Sequence, residues 1–140
     1  MKRRIKPVCA MSAINAKLCK QLGLYVEVEQ RDEGTIPHMH VYHDKSRNPQ
    51  KCSYICLDKA AYSKHHEVHK LSKKQKELFL QIMQQPCSSA LVNASGKATF
   101  GTGYQYAVYT WVNTYCDDSY EGFTLDENGL PVMPDYKTYL

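Results

Sequence analysis

Along Leu24-Tyr-Val-Glu-Val-Glu-Gln30 apolar and polar residues alternate with a period of two, which predicts a strand whose glutamates face water. Arg31-Asp-Glu-Gly-Thr35 reads as a turn, Ile36-Pro-His-Met-His-Val-Tyr-His43 as a second strand, and Asp44 to Lys51, with Ser46, Asn48 and Pro49, as a loop. Cys52-Ser-Tyr-Ile-Cys-Leu57 completes an antiparallel meander. Upstream, Met11, Ile14, Leu18, Cys19 and Leu22 recur at helical spacing, predicting an amphipathic helix over Met11 to Leu22 that Gly23 ends. Downstream, Ser72 and Gln75 stand three apart as a capping box, Leu78, Phe79, Ile82 and Met83 form one apolar stripe, and Pro86 stops that helix.

The second half of the chain is less regular. Ser88 to Gly103 is rich in small residues and reads as a long connection with short extended pieces around Ala90 to Val92. Ala107, Val108, Trp111, Val112 and Tyr115 are spaced for a helix over Tyr104 to Tyr115, although the Tyr, Val and Thr content also suits a strand. Asn128-Gly129, Pro131 and Pro134 mark Ser119 to Leu140 as an extended tail on the surface. The expectation is one α+β domain over residues 1–140, an antiparallel sheet of three or more strands with helices packed on one face and residues 117–140 as an acidic extended C-terminal tail.

Composition agrees with a single domain, since 140 residues at 43% hydrophobic can bury a core without metals or disulfides. Six dispersed cysteines without a signal-peptide h-region suggest reduced thiols and a cytoplasmic setting, and no stretch approaches membrane-spanning length. Charge is polarised: residues 1–77 carry 16 Lys and Arg against 8 Asp and Glu, whereas residues 117–140 carry 1 against 6. A basic half suits nucleic acid or an acidic partner segment, which the chain's own tail can imitate.

All six histidines fall between His38 and His69. On a strand, His38, His40 and Tyr42 would share one face while Met39, Val41 and His43 share the other, and the hydrophobic pair marks the core side. His38 and His40 would then lie on the more polar face, near enough to share a divalent metal such as zinc once a third ligand is found. His65, His66, His69, Asp44, Asp58 and Glu67 are the candidates. His65-His-Glu-Val-His69 has the wrong spacing for the zinc-protease motif, and Cys52 and Cys56 have no second cysteine pair. A catalytic alternative uses His38 or His40 as base, with Tyr42, Lys45 or Arg47 on a phosphate; a non-enzymatic chain without cofactor is the competing expectation.

Two surfaces suggest binding instead. Lys64, Lys70, Lys73, Lys74 and Lys76 are the densest positive patch, suited to nucleic acid or an acidic partner. Tyr104, Tyr106, Tyr109 and Trp111 are too many aromatic residues for one helix face to bury, which suggests a protein interface or a homo-oligomer.

The run Ile36-Pro-His-Met-His-Val-Tyr-His43, with Leu57-Asp-Lys-Ala-Ala-Tyr62 and Leu71-Ser-Lys-Lys-Gln-Lys-Glu77, resembles a family of small bacterial and phage proteins with a Pro-Pro-His-hydrophobic-His-Val signature. That family is a small α+β domain of unknown function often found near toxin-antitoxin or mobile-element genes. The resemblance spans roughly residues 22–85, and this chain has Ile-Pro-His where the signature has Pro-Pro-His. It implies a fold class and a genomic setting but no substrate, cofactor or catalytic residue. Together these readings favour a non-enzymatic binding protein of phage or mobile-element origin that engages a host or phage protein or a nucleic acid, with no membrane partner. A small histidine-dependent, metal-assisted nuclease or hydrolase is the alternative.

Overall fold

The computed structural model describes residues 11–29, 37–57, 67, 70–114, 120 and 122–136. Four antiparallel strands form the main sheet in the order β1 (Met11–Ala13), β2 (Tyr25–Glu29), β3 (His38–Tyr42) and β4 (Cys52–Cys56). The helices are α1 (Ala16–Leu22), α2 (Lys73–Gln84) and α3 (Gly103–Thr114), and β5 (Leu91–Val92) pairs with β6 (Ala98–Thr99) in a separate small hairpin. The fold is α+β, as the periodicities predict, and Tyr104 to Thr114 is helical. Among the described residues no helix is long and apolar enough to cross a membrane.

Register explains the core. Val26 lies opposite Val41 and Met39 opposite Ile55, so these residues share one face of the sheet. Cys19 of α1, Phe79, Ile82 and Met83 of α2, and Ala107, Val108, Trp111 and Val112 of α3 join them in a single buried cluster. Each large apolar side chain so buried contributes about 1.5–3 kcal/mol. The capping box forms as the sequence predicts: Ser72 Oγ accepts from Gln75 N–H at 3.1 Å and Gln75 Oε1 accepts from Ser72 N–H at 2.9 Å.

The expected helix over Met11 to Leu22 is half right. Met11–Ala13 pairs with β2 as an edge strand, and Asn15 then turns the chain through a left-handed conformation (φ 50°, ψ 54°) before α1 begins. The cause is long-range. Asn15 Nδ2 donates to Ile82 O at 2.9 Å and Gln85 O at 3.2 Å, capping carbonyls that the end of α2 leaves without helical donors. Gly103 N–H donates to Gln85 O at 2.9 Å, so the same helix end also anchors the start of α3. A Cβ on Gly103 would stand 2.2 Å from Ile82 O, which leaves glycine as the residue that fits.

The C-terminal segment is more deeply built in than an extended surface tail. Tyr136 is buried, packs its ring 5.3 Å from Phe79, and donates its hydroxyl to Cys56 O at 2.6 Å. Tyr104 of α3 donates in parallel to Leu57 O at 2.7 Å, so two tyrosines fasten the end of β4. Asp117, Asp118 and Glu121 of the acidic stretch lie outside the described residues.

Replacing Asn15 separates the two contributions at the clasp. Asn15→Ala should destabilise the fold by about 2–3 kcal/mol in urea denaturation, through lost hydrogen bonds and left-handed strain. Asn15→Gly removes only the bonds and should be about 1 kcal/mol less costly.

Candidate functional site

β3 carries the first histidine group, and its surroundings differ from expectation. Met39 and Val41 face the core, but His38 and His40 are themselves only 5% and 9% exposed. The polar face of the strand is covered as well. The two imidazoles stack with ring centres 5.2 Å apart and planes 23° from parallel. Tyr54 packs edge-on to both, at 5.4 Å from His38 and 4.8 Å from His40, and Trp111 of α3 lies 5.4 Å from His38. Tyr42 stands beside His40, its hydroxyl 3.3 Å from Nδ1. Cross-strand register builds this box, because His40 lies opposite Tyr54 and His38 opposite Cys56.

Stacked imidazoles are poorly arranged to share a metal ion. Their nitrogen lone pairs lie in the ring planes, and nearly parallel planes do not converge on a nearby point. Among the described residues no group of three or more His, Cys, Asp or Glu side chains is placed to hold a metal ion. Of the expected third ligands, Asp44 instead accepts the hydroxyl and backbone N–H of Ser46, which hold its carboxyl below the usual range. Glu67 accepts the N–H of Tyr54 at 3.1 Å and pairs with Lys70 at 3.1 Å. His65, His66, His69 and Asp58 lie outside the described residues.

Of the residues expected to hold a phosphate, Lys45 is exposed and Arg47 is committed elsewhere. Arg47 Nε donates to Glu27 Oε2 at 2.6 Å, and its guanidinium lies 4.7 Å over the Tyr25 ring. Glu27, predicted to face water, is buried by that pairing. Burial pushes the Cys52 thiol up to about 11, and it raises Cys19, whose Sγ donates to Ile14 O.

Part of the basic patch stays at the surface, whereas Lys76 is half-buried. Lys70, Lys73 and Lys74 are exposed, and the first turn of α2 carries Lys73 and Lys74 with no acidic residue. Lys64 lies outside the described residues. Of the aromatic residues expected at an interface, Tyr104 and Trp111 belong to the buried core, whereas Tyr106 and Tyr109 remain half-buried with ring centres 6.2 Å apart.

A different aromatic residue stands out. Phe100, just beyond β6, is 65% exposed, and the other exposed large hydrophobic residues among those described, Val92, Leu125 and Val132, lie in the same half of the chain. They belong to two short hairpins built by one device. In the first, Asn93 Oδ1 accepts from Ser95 and Lys97 N–H; in the second, Asp126 Oδ1 accepts from Asn128 and Leu130 N–H. Gly96 and Gly129 supply the positive φ that each turn needs (82° and 75°). The tips then lock together, with Asn93 Nδ2 donating to Asn128 O at 2.8 Å and Ala94 N–H to Gly129 O at 2.9 Å.

A cleft of about 530 Å³ opens between these tips, lined by Lys97, Ala98, Thr99 and Phe100 on one side and by Glu127 and Asn128 on the other. That volume suits a small ligand or a short peptide segment. The signal in the sequence was the repeated spacing of Asn93-Ala-Ser-Gly96 and Asp126-Glu-Asn-Gly129, an Asx residue three before a glycine. No protein-family model matches the chain, no curated protein matches it and no solved structure does.

His43 offers a pH test of the sheet edge. Its Nε2 lies 2.9 Å from Ser53 Oγ, and burial lowers its pKa, opposed by Asp44 and helped by Lys70 and Lys51. The unfolded chain therefore binds a proton more readily than the folded one. Stability should fall as pH drops through about 6.5, until the lowered folded value is passed. Urea midpoints for His43→Gln should vary less than those of the parent across that window.

Proposed function

We propose that this chain is a non-enzymatic binding protein of the cytoplasm, of phage or mobile-element origin, that engages a protein partner through its two locked hairpins. The observation that carries the proposal is Phe100, whose large apolar ring is left in water beside an open cleft while the other described aromatic residues of that half are partly or wholly covered. Apolar side chains on the rim of a cleft are characteristic of interaction sites, and an aromatic anchor supplies much of an interface's energy. The hydrolase alternative draws less support, because His38 and His40 are enclosed by tyrosine and tryptophan rings.

Quantitative cross-linking in the native host, comparing the parent with Phe100→Asp, tests this reading. A protein captured by the parent should drop by about tenfold or more with the variant, as expected for loss of an anchor worth about 1.4 kcal/mol or more. Equal recovery from both would refute it.

The exposed lysines of α2 support a second reading, nucleic-acid binding. Lys73 and Lys74 crowd the positive end of the helix dipole, where lysine is electrostatically unfavourable without an anion. On this reading duplex DNA should bind at low salt, and Lys73→Glu with Lys74→Glu should weaken binding and reduce the slope of log affinity against log salt by about 2. A flat salt dependence in the parent would dismiss the reading.

A further inference from the structure

Among the described residues, the small hairpin leaves one backbone edge open. Asn93 N–H donates to Lys97 O at 2.9 Å, while Val92 is paired with Ala98 and Leu91 with Thr99. Bonded and non-bonded pairs alternate in an antiparallel ladder, so Val92 and Ala98 form a non-bonded pair whose peptide groups turn outward. On the β5 side this outward carbonyl is used, since Tyr120 donates its hydroxyl to Val92 O at 2.7 Å. On the β6 side the outward N–H and C=O of Ala98, and those of Phe100 two residues on, meet no backbone partner among the described residues. Both residues are exposed, and both line the cleft.

We propose that this edge accepts an extended peptide of a partner protein as a third strand of the β5–β6 sheet, with an apolar peptide side chain resting on Phe100. The inference rests on the protein-binding reading above and gives it a mode. Unpaired edge groups are a template for strand addition, in which main-chain hydrogen bonds supply affinity and side-chain pockets supply choice. Charge narrows the sequence. Lys97 and Glu127 line the cleft and form no ion pair with a described residue, so an acidic and a basic residue flanking the apolar one would be complemented. A second copy of this chain is a poorer occupant. β6 is flanked by Lys97 and carries no acidic residue, and lysine on an edge strand opposes self-pairing.

The probe is an array of eight-residue peptides with a central Leu, Ile, Val or Phe and acidic or basic residues two positions to either side, followed by fluorescence anisotropy on the binders. Peptides of mixed charge should bind the full chain, and Phe100→Asp should weaken them by about tenfold or more. Ala98→Pro removes only an outward N–H, a position where an edge strand tolerates proline, and should weaken them comparably while the circular dichroism spectrum is retained. A peptide N-methylated at its central residue should also fail, which keeps the test independent of how the variant folds. Binding that survives both Ala98→Pro and N-methylation would overturn strand addition. So would a dimer in sedimentation that Ala98→Pro dissolves, because the occupant would then be a second copy. If no peptide binds but the Phe100-dependent cross-link persists, strand addition fails and the protein-binding reading stands; loss of both removes both.

Discussion

The carbonyl end of α2 is the point from which the rest of the helical layer is hung. A helix ends with acceptors that its own backbone cannot satisfy, and leaving them buried and unpaired costs more than a good hydrogen bond returns. Here Asn15 and Gly103, 88 positions apart in the chain, supply the donors. Meeting that demand puts Asn15 in a left-handed conformation, which ends β1 and launches α1, and forces α3 to begin with a residue lacking a side chain. Three helices and an edge strand therefore take their positions from one set of acceptors.

Elements whose causes are local were legible in the sequence. Ser72 and Gln75 satisfy each other within one helical turn, and the alternation in Leu24 to Glu29 needs only the neighbouring strands to be understood. Met11 to Leu22 misled because Met11, Ile14 and Leu18 do fall at helical spacing, whereas the reason for a break at Asn15 lies at Ile82 and Gln85. Likewise, alternation along β3 identified Met39 and Val41 as core-facing but carried no information about what covers the opposite face, where Tyr54 and Trp111 meet the histidines. The hairpin tips were half legible: Asn128-Gly129 announced a turn, while its lock onto Asn93 is tertiary.

The distribution of polar chemistry also changes meaning once the fold is known. Among the described residues, several of the types that suggest catalysis in a list sit in internal contacts: imidazole against imidazole, Arg47 on Glu27 and Tyr25, Cys19 on Ile14. Lys73 and Lys74 of α2 and the ring of Phe100 stand exposed at the surface. Recognition by such groups depends on shape, charge and backbone edge more than on bond-making chemistry.

The lock between Asn93 and Asn128 spans 35 residues and encloses the whole of α3. Joining ends that far apart carries a loop-closure entropy that contacts within the enclosed segment, the docked α3 among them, must offset. The cleft between the hairpins is consequently a property of the finished molecule. A chain in which that lock had opened would present Phe100 without the opposing wall of Glu127 and Asn128.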